Sequence, residues 1–309
     1  MASPLYRAAT MGHLISKALN RSFEGQVLAV FRSSFYLEME QLIFCLGTSD
    51  MPAGPLNVVT SASPLTDWKE SGLRKYAPAI VSKAGINVGG KCLFQLSGAR
   101  KWRPTQIHQP ISIAKLERGL SAFKAKAADV VPDIGLGRLI FSGYISDRRD
   151  HVCRAAKPDI LKGKLWFHEA IADEKKAEEL QIGWAKKLVG LGPGLTPSGD
   201  DFLGGAMVAL HAIGKGDICS LLWSKIGSYV AASTNSISLA HLKAASDGMG
   251  SDLIHRALST IASGDVYALE PSIAGIGRIG YSSGWDIISG SIAVLDSWLD
   301  SECRNATNG

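Results

Sequence analysis

The chain reads as an α+β protein. A β-rich N-terminal domain over residues 1–110, built as a sheet or small barrel, precedes a larger, mainly α-helical domain over 111–309 that carries the motif GLGPGLTPSGDD. Three observations predict this. From about 24 to 105, aromatic and β-branched residues come in short runs between Gly, Pro, Ser and Asp turns. After Trp102 the apolar spacing changes to the helical period. With 309 residues, 46% of them hydrophobic and 20% charged, the chain can bury a core in one large or two ordinary domains.

The first 22 residues, MASPLYRAATMGHLISKALNRS, are basic and free of acids, as in a targeting peptide. They lack an unbroken apolar stretch and a cleavage signal, and they read as a surface helix. Strands follow at QVLAVF (26–31), FYLEME (35–40), LIFCLG (42–47), PLNVVT (55–60) and KCLFQL (91–96). Helical patterning begins at 113–128 and returns around 168–190, with Ala177, Leu180, Trp184 and Leu188 on one face. Lys186 and Lys187 suit the last turn of a helix, and Gly190 the position just beyond it. The segment 130–160, with Gly135, Gly137 and Gly143, takes no assignment from its pattern. From 190 to Leu299 more helices are expected.

Composition excludes several functions. The net charge of +5 is dispersed, without the clustered basic face of a nucleic-acid binder. No window approaches the ~18 apolar residues of a membrane span. Cys45, Cys92, Cys153, Cys219 and Cys303 are scattered and form no C-x-x-C, so neither a disulfide framework nor a thiolate zinc site is indicated. A reducing cytoplasm is the simplest home. No histidine pair has ligand spacing, so neither a metal nor a cofactor is expected.

The stretch 190–205, GLGPGLTPSGDDFLGG, admits three readings: a phosphate cradle, a carboxylate site, or a well-punctuated loop between helices. Ser198 stands where the second helix needs an N-cap, and Asp201 completes an S-x-x-D capping box. The helix behind it is apolar almost all round, hence buried. The pattern returns 85 residues on: SGDDFLGGAMVAL (198–210) and SGWDIISGSIAVL (283–295) share Ser, Gly, Asp, Gly and Leu, with no match upstream of the serines. One such start is ordinary punctuation; two, each leading a buried helix, give a ligand role equal standing. Paired helix N-termini suit an anion, and Gly199 and Gly284 would let it approach the backbone. Asp201 and Asp286 are assigned to capping first and to substrate second, whereas Asp200 is the freer carboxylate.

Nucleotide motifs fail here. Gly194-x-x-x-x-Gly199 has Walker spacing, but Asp200 and Asp201 replace Lys and Ser/Thr. Gly190-Leu191-Gly192 lacks the remaining Rossmann glycine and follows a helix. No G-x-S-x-G elbow is present. The hydroxyl-rich AASTNSISLAH (231–241) is either a capped helix start or a small polar site. Arg278 is the cation nearest the second Ser-Gly-x-Asp. The leading expectation is a small anionic substrate lying across the 190–201 loop, the 234–238 hydroxyls and the 283–286 turn. Asp200 or Asp286 would be general base, with Gly194, Thr196, Ser198, Gly199, Asp201, Thr234, Asn235, Arg278, Ser283 and Gly284 as substrate contacts. The rival is a non-catalytic metabolite-binding or scaffold subunit of a larger complex.

GLGPGLTPSGDDFLGG, with TNSIS and SSGWDIISG, resembles the signature of the AllH-like family, formerly a domain of unknown function, over residues 185–295. That family includes the oxamate carbamoyltransferase subunit of anaerobic allantoin degradation. The resemblance implies a bacterial cytoplasmic protein acting with other subunits on carbamoyl transfer between oxalurate, oxamate and carbamoyl phosphate. It implies no residue-level role.

Overall fold

The structure is a computed structural model that describes residues 3–308 apart from 20, 41, 106, 108, 142 and 144–149, with side chains described as far as 303. The chain forms two compact units, 1–104 and 105–309.

The first unit is a β-barrel. Its strands are β1 (Leu5–Gly12), β2 (Phe23–Val30), β3 (Ser34–Met39), β4 (Leu42–Gly47), β5 (Asn57–Thr60), β6 (Pro78–Val81), β7 (Gly85–Val88), β8 (Cys92–Gln95) and β9 (Arg100–Trp102), with a short helix α1 (His13–Ala18) after β1. The order β5-β4-β3-β2-β6-β7-β8-β1 closes on itself where β1 pairs with β5, and β9 pairs along the far half of β1. Closure leaves no long free edge. Alternation directs Phe35, Leu37 and Met39 of β3 inward. There Trp68 meets Phe35 edge-on at 5.2 Å, and its indole N–H donates to the Ser33 carbonyl at 3.2 Å.

Residues 5–12 are therefore a strand and not the surface helix expected from their composition. Three partners impose it: Leu5–Arg7 pair with β8, Ala8–Met11 with β5, and Thr10–Gly12 with β9. Ladder hydrogen bonds along one segment outweigh the few tenths of a kcal/mol per residue in its local propensity. Gly12 is required, since a Cβ there would stand 2.2 Å from the Pro55 carbonyl oxygen.

The second unit is helical: α2 (Ile113–Ala127), α3 (His151–Ala172), α4 (Glu174–Ala177), α5 (Gly183–Leu188), α6 (Ser198–Ala212), α7 (Gly216–Ser233), α8 (Ser236–Ser246), α9 (Asp252–Ser263), α10 (Leu269–Ile276) and α11 (Ser283–Asn308). The unassigned region 130–160 holds a 3-10 turn at Gly137–Ile140 and the start of α3; 142 and 144–149 lie outside the described residues. From Ser198 to Leu210 every residue of α6 except Gly204 is buried. Phe202, Leu203, Met207 and Leu210 are fully enclosed, each contributing about 1.5–3 kcal/mol. α11 is the element α6 packs against most. Among the described residues no helix is long and apolar enough to cross a membrane.

Candidate functional site

The α6–α11 contact depends on two glycines, each seven residues into its helix. A Cβ on Gly205 would stand 1.8 Å from the Ile287 carbonyl oxygen, and one on Gly290 would stand 1.9 Å from that of Phe202. Only bare backbone lets the helices approach so closely. The same crossing brings their first residues together: Thr196 Oγ1 and Ser283 Oγ are 3.0 Å apart.

The two helix starts are copies over a longer stretch than their sequences show. Before α6, Leu191 N donates to Leu188 O and Gly199 N to Leu191 O; before α11, Ile279 N donates to Ile276 O and Gly284 N to Ile279 O. Gly192 and Gly280 both have positive φ and lie against the serine that opens the helix. The repeat therefore extends upstream, contrary to the sequence reading. It is hidden because five residues, 193–197, fill the first turn where two, 281–282, fill the second.

Two further expectations fail. The N-cap of α6 is Pro197, which makes no side-chain cap bond, so Ser198 and Asp201 form no capping box. Their side chains act across the helix pair instead: Ser198 opposes the rise in the pKa of Asp286 of α11, and Ser283, with Thr196, that of Asp201 of α6. Gly199 and Gly284 do not open the backbone to a ligand. The space for a Cβ is taken by the carbonyls of Leu188, at 2.0 Å, and Ile276, at 2.1 Å.

The carboxylates also differ from the sequence reading. Asp200 is not the free one: it is buried and accepts from Gly190 N (2.7 Å), Thr234 Oγ1 (2.5 Å) and Ser238 Oγ (2.6 Å). Asn235 caps α8, accepting from Ile237 N and Ser238 N, and its amide donates to the Leu195 carbonyl. Thr234, Asn235 and Ser238 thus tie the 190–195 loop to the start of α6. Gly194 has open space around it, and 193–195 are exposed. Arg278 is exposed on the turn before α11.

Asp286 is fully engaged. Leu136 N donates to its Oδ1 at 2.5 Å and Ser282 Oγ to its Oδ2 at 3.0 Å. Burial still pushes its pKa up, a rise opposed by Leu136, Ser198 and Ser282 and reinforced by Asp150. Asp201 is pushed well above the usual carboxylate range, first by burial and then by Asp286, with Asp200 adding to the rise and Ser283 and Thr196 opposing it. Its Oδ2 is buried and has no hydrogen-bond partner among the described residues. Gly135, Leu136 and Asp150, the N-cap of α3, escaped the sequence reading, and only the glycines of the 135–143 stretch hinted at them.

The raised pKa of Asp201 has a stability consequence. The folded chain holds a proton that the unfolded chain releases above about pH 3.9, so the stability this group confers at low pH is lost as pH rises towards its folded pKa. Asp201→Asn has no such loss. It is expected to match wild type near pH 3 and to melt progressively higher than wild type as pH rises above about 4 towards the folded pKa of Asp201. Parallel melting curves would not separate with pH if Asp201 were ionised in the fold.

The family model for the oxamate carbamoyltransferase subunit AllH matches residues 188–295, from the end of α5 into α11, and so spans both helix starts. The model for the AllH family N-terminal domain matches 7–101, the barrel. No curated protein and no solved structure matches the chain.

Proposed function

The chain belongs to the AllH family, that of the oxamate carbamoyltransferase subunit, and from this premise we propose that it serves a carbamoyltransferase complex by binding a small ureide-derived acid where α6 and α11 begin. The single observation that supports the site is the crossed Ser–Asp arrangement. It gathers Thr196, Ser198, Asp201, Ser283 and Asp286 from two distant segments, inside the stretch matched to the family. The positive ends of two helices meet there and favour the anionic end of oxamate, oxalurate or carbamoyl phosphate. Thr196, Ser198 and Ser283 orient the ligand, and the 193–195 loop forms its outer wall. Asp200 or Asp286 can act as general base only if a donor from the chain is displaced, because the oxygens of both already accept hydrogen bonds. Other subunits complete the enzyme, in the cytoplasm.

Titration calorimetry of the full chain with oxamate, oxalurate, carbamoyl phosphate and phosphate tests this reading. Saturable heat is expected with at least one carbamoyl compound, and Ser283→Ala should weaken it about tenfold, the worth of one hydrogen bond to a charged ligand. A chain that gives no saturable heat with any of them is a scaffold instead.

A further inference from the structure

The near-copies at the starts of α6 and α11 differ in one respect that points to a ligand. Asp286 accepts from two donors, the Ser282 hydroxyl of the preceding turn and the Leu136 amide N–H, and the Ser198 hydroxyl of the other helix also opposes the rise in its pKa. On Asp201 the two hydroxyls that oppose the rise in pKa are those of Ser283 and Thr196, which lie 3.0 Å from each other. The place of the Leu136 N–H is unfilled: Asp201 is 8% exposed, and its Oδ2 has no partner among the described residues. A buried polar atom in that state is costly and calls for an explanation. The fold itself supplies one, since it shows on Asp286 what such a carboxyl accepts when its set is complete.

We propose that Asp201 Oδ2 reads the carbamoyl group of the substrate, taking its amide N–H as Asp286 takes that of Leu136, while Ser283 and Thr196 fix the plane of the carboxyl. The inference rests on the function proposed above and names the specificity-determining atom of that site. The other difference between the copies is the turn that precedes each helix. The first turn is longer by residues that include the exposed 193–195, with open space at Gly194, and Thr196 of this turn is the residue that reaches Asp201. A small planar molecule enters there by displacing a glycine-rich loop and not a helix. The carbamoyl N–H meets Oδ2 as a carboxylate oxygen, or as the carbonyl oxygen of the acid when the proton sits on Oδ1. A carboxylate in its place offers no N–H and sets only acceptors against Oδ2.

Oxamate and oxalate differ in this one group, so their relative affinity reports on Asp201. Calorimetry on the full chain compares the two ligands for wild type, Asp201→Leu, which keeps the approximate shape without a polar group, and Asp201→Ala, with melting curves to establish folding. Wild type should favour oxamate about tenfold or more, and both variants should lose that preference, since a site built for an N–H discriminates by leaving its acceptor unpaired. Asp201→Asn, which can turn its carbonyl oxygen to the ligand, should restore part of it. Folded variants that keep the wild-type ratio overturn the assignment of Asp201 and leave the binding site standing. Failure of wild type to bind either ligand or any carbamoyl compound overturns the site, and this inference with it.

Discussion

Alanine at Gly290 is expected to destabilise the helical unit by about 3 kcal/mol, at the upper end of overpacking costs. The reason is what the new methyl would meet. It would stand 1.9 Å from the Phe202 carbonyl oxygen and 3.0 Å from Ala206 N, both backbone atoms of a buried helix. A flexible side chain could turn aside, but a helix backbone cannot, so α6 and α11 would have to separate along their length. Gly205→Ala should act alike, through the Ile287 carbonyl. Gly204 is the internal control: its methyl would find only Ala245 Cβ at 3.7 Å and Leu242 Cδ2 at 3.8 Å. Gly204→Ala should therefore be neutral or stabilise by up to about 1 kcal/mol, as alanine does in a helix interior. Urea unfolding of the three variants decides the matter; equal midpoints for Gly204→Ala and Gly290→Ala would mean that the helices are not held by backbone contact. Separating the helices also parts Thr196 from Ser283, so Gly290→Ala should weaken ligand binding even where it folds.

How far the sequence could be read depended on whether its signals were local. LIFCLG gave β4 with its observed limits, Leu42–Gly47, because a short apolar run between turns has few alternatives. LYRAATMG misled because nothing within eight residues announces the three strands that β1 joins. The repeated Ser-Gly-x-Asp was legible from the serine onward, where a constant offset preserves the register. Upstream, the longer 193–197 turn breaks the offset and Leu188 and Leu191 answer to Ile276 and Ile279, so only the hydrogen bonds reveal the match. Asp200 looked free because Thr234 and Ser238 lie far along the chain. The donor on Asp286 was invisible for a different reason: it is the backbone amide of Leu136, and a backbone amide leaves no mark in a sequence.

Asp200→Ala is expected to cost about 3 kcal/mol, because it strips three donors of one buried acceptor. Gly190 N, Thr234 Oγ1 and Ser238 Oγ come from two segments that meet α6 through this carboxylate. The two hydroxyls can turn to other acceptors, but the Gly190 amide cannot, since the positive φ of Gly190 (71°) fixes the direction of the chain there. The loop should loosen first, and amide exchange at 190–195 and 234–238 should quicken before global unfolding does. Asp200→Asn retains one acceptor oxygen for Gly190 N, and its amide can donate to the hydroxyls once they reorient, so about 1 kcal/mol is expected instead. The same pair of variants separates a structural tie from a general base. If Asp200 moves a proton, the asparagine variant of the assembled enzyme should lose about 10²-fold or more in kcat with substrate binding unchanged. If Asp200 only holds the loop and the 234–238 segment against α6, the asparagine variant should keep most of its kcat well below its melting temperature. The alanine variant should then lose activity chiefly through a raised KM, as the outer wall of the site gives way.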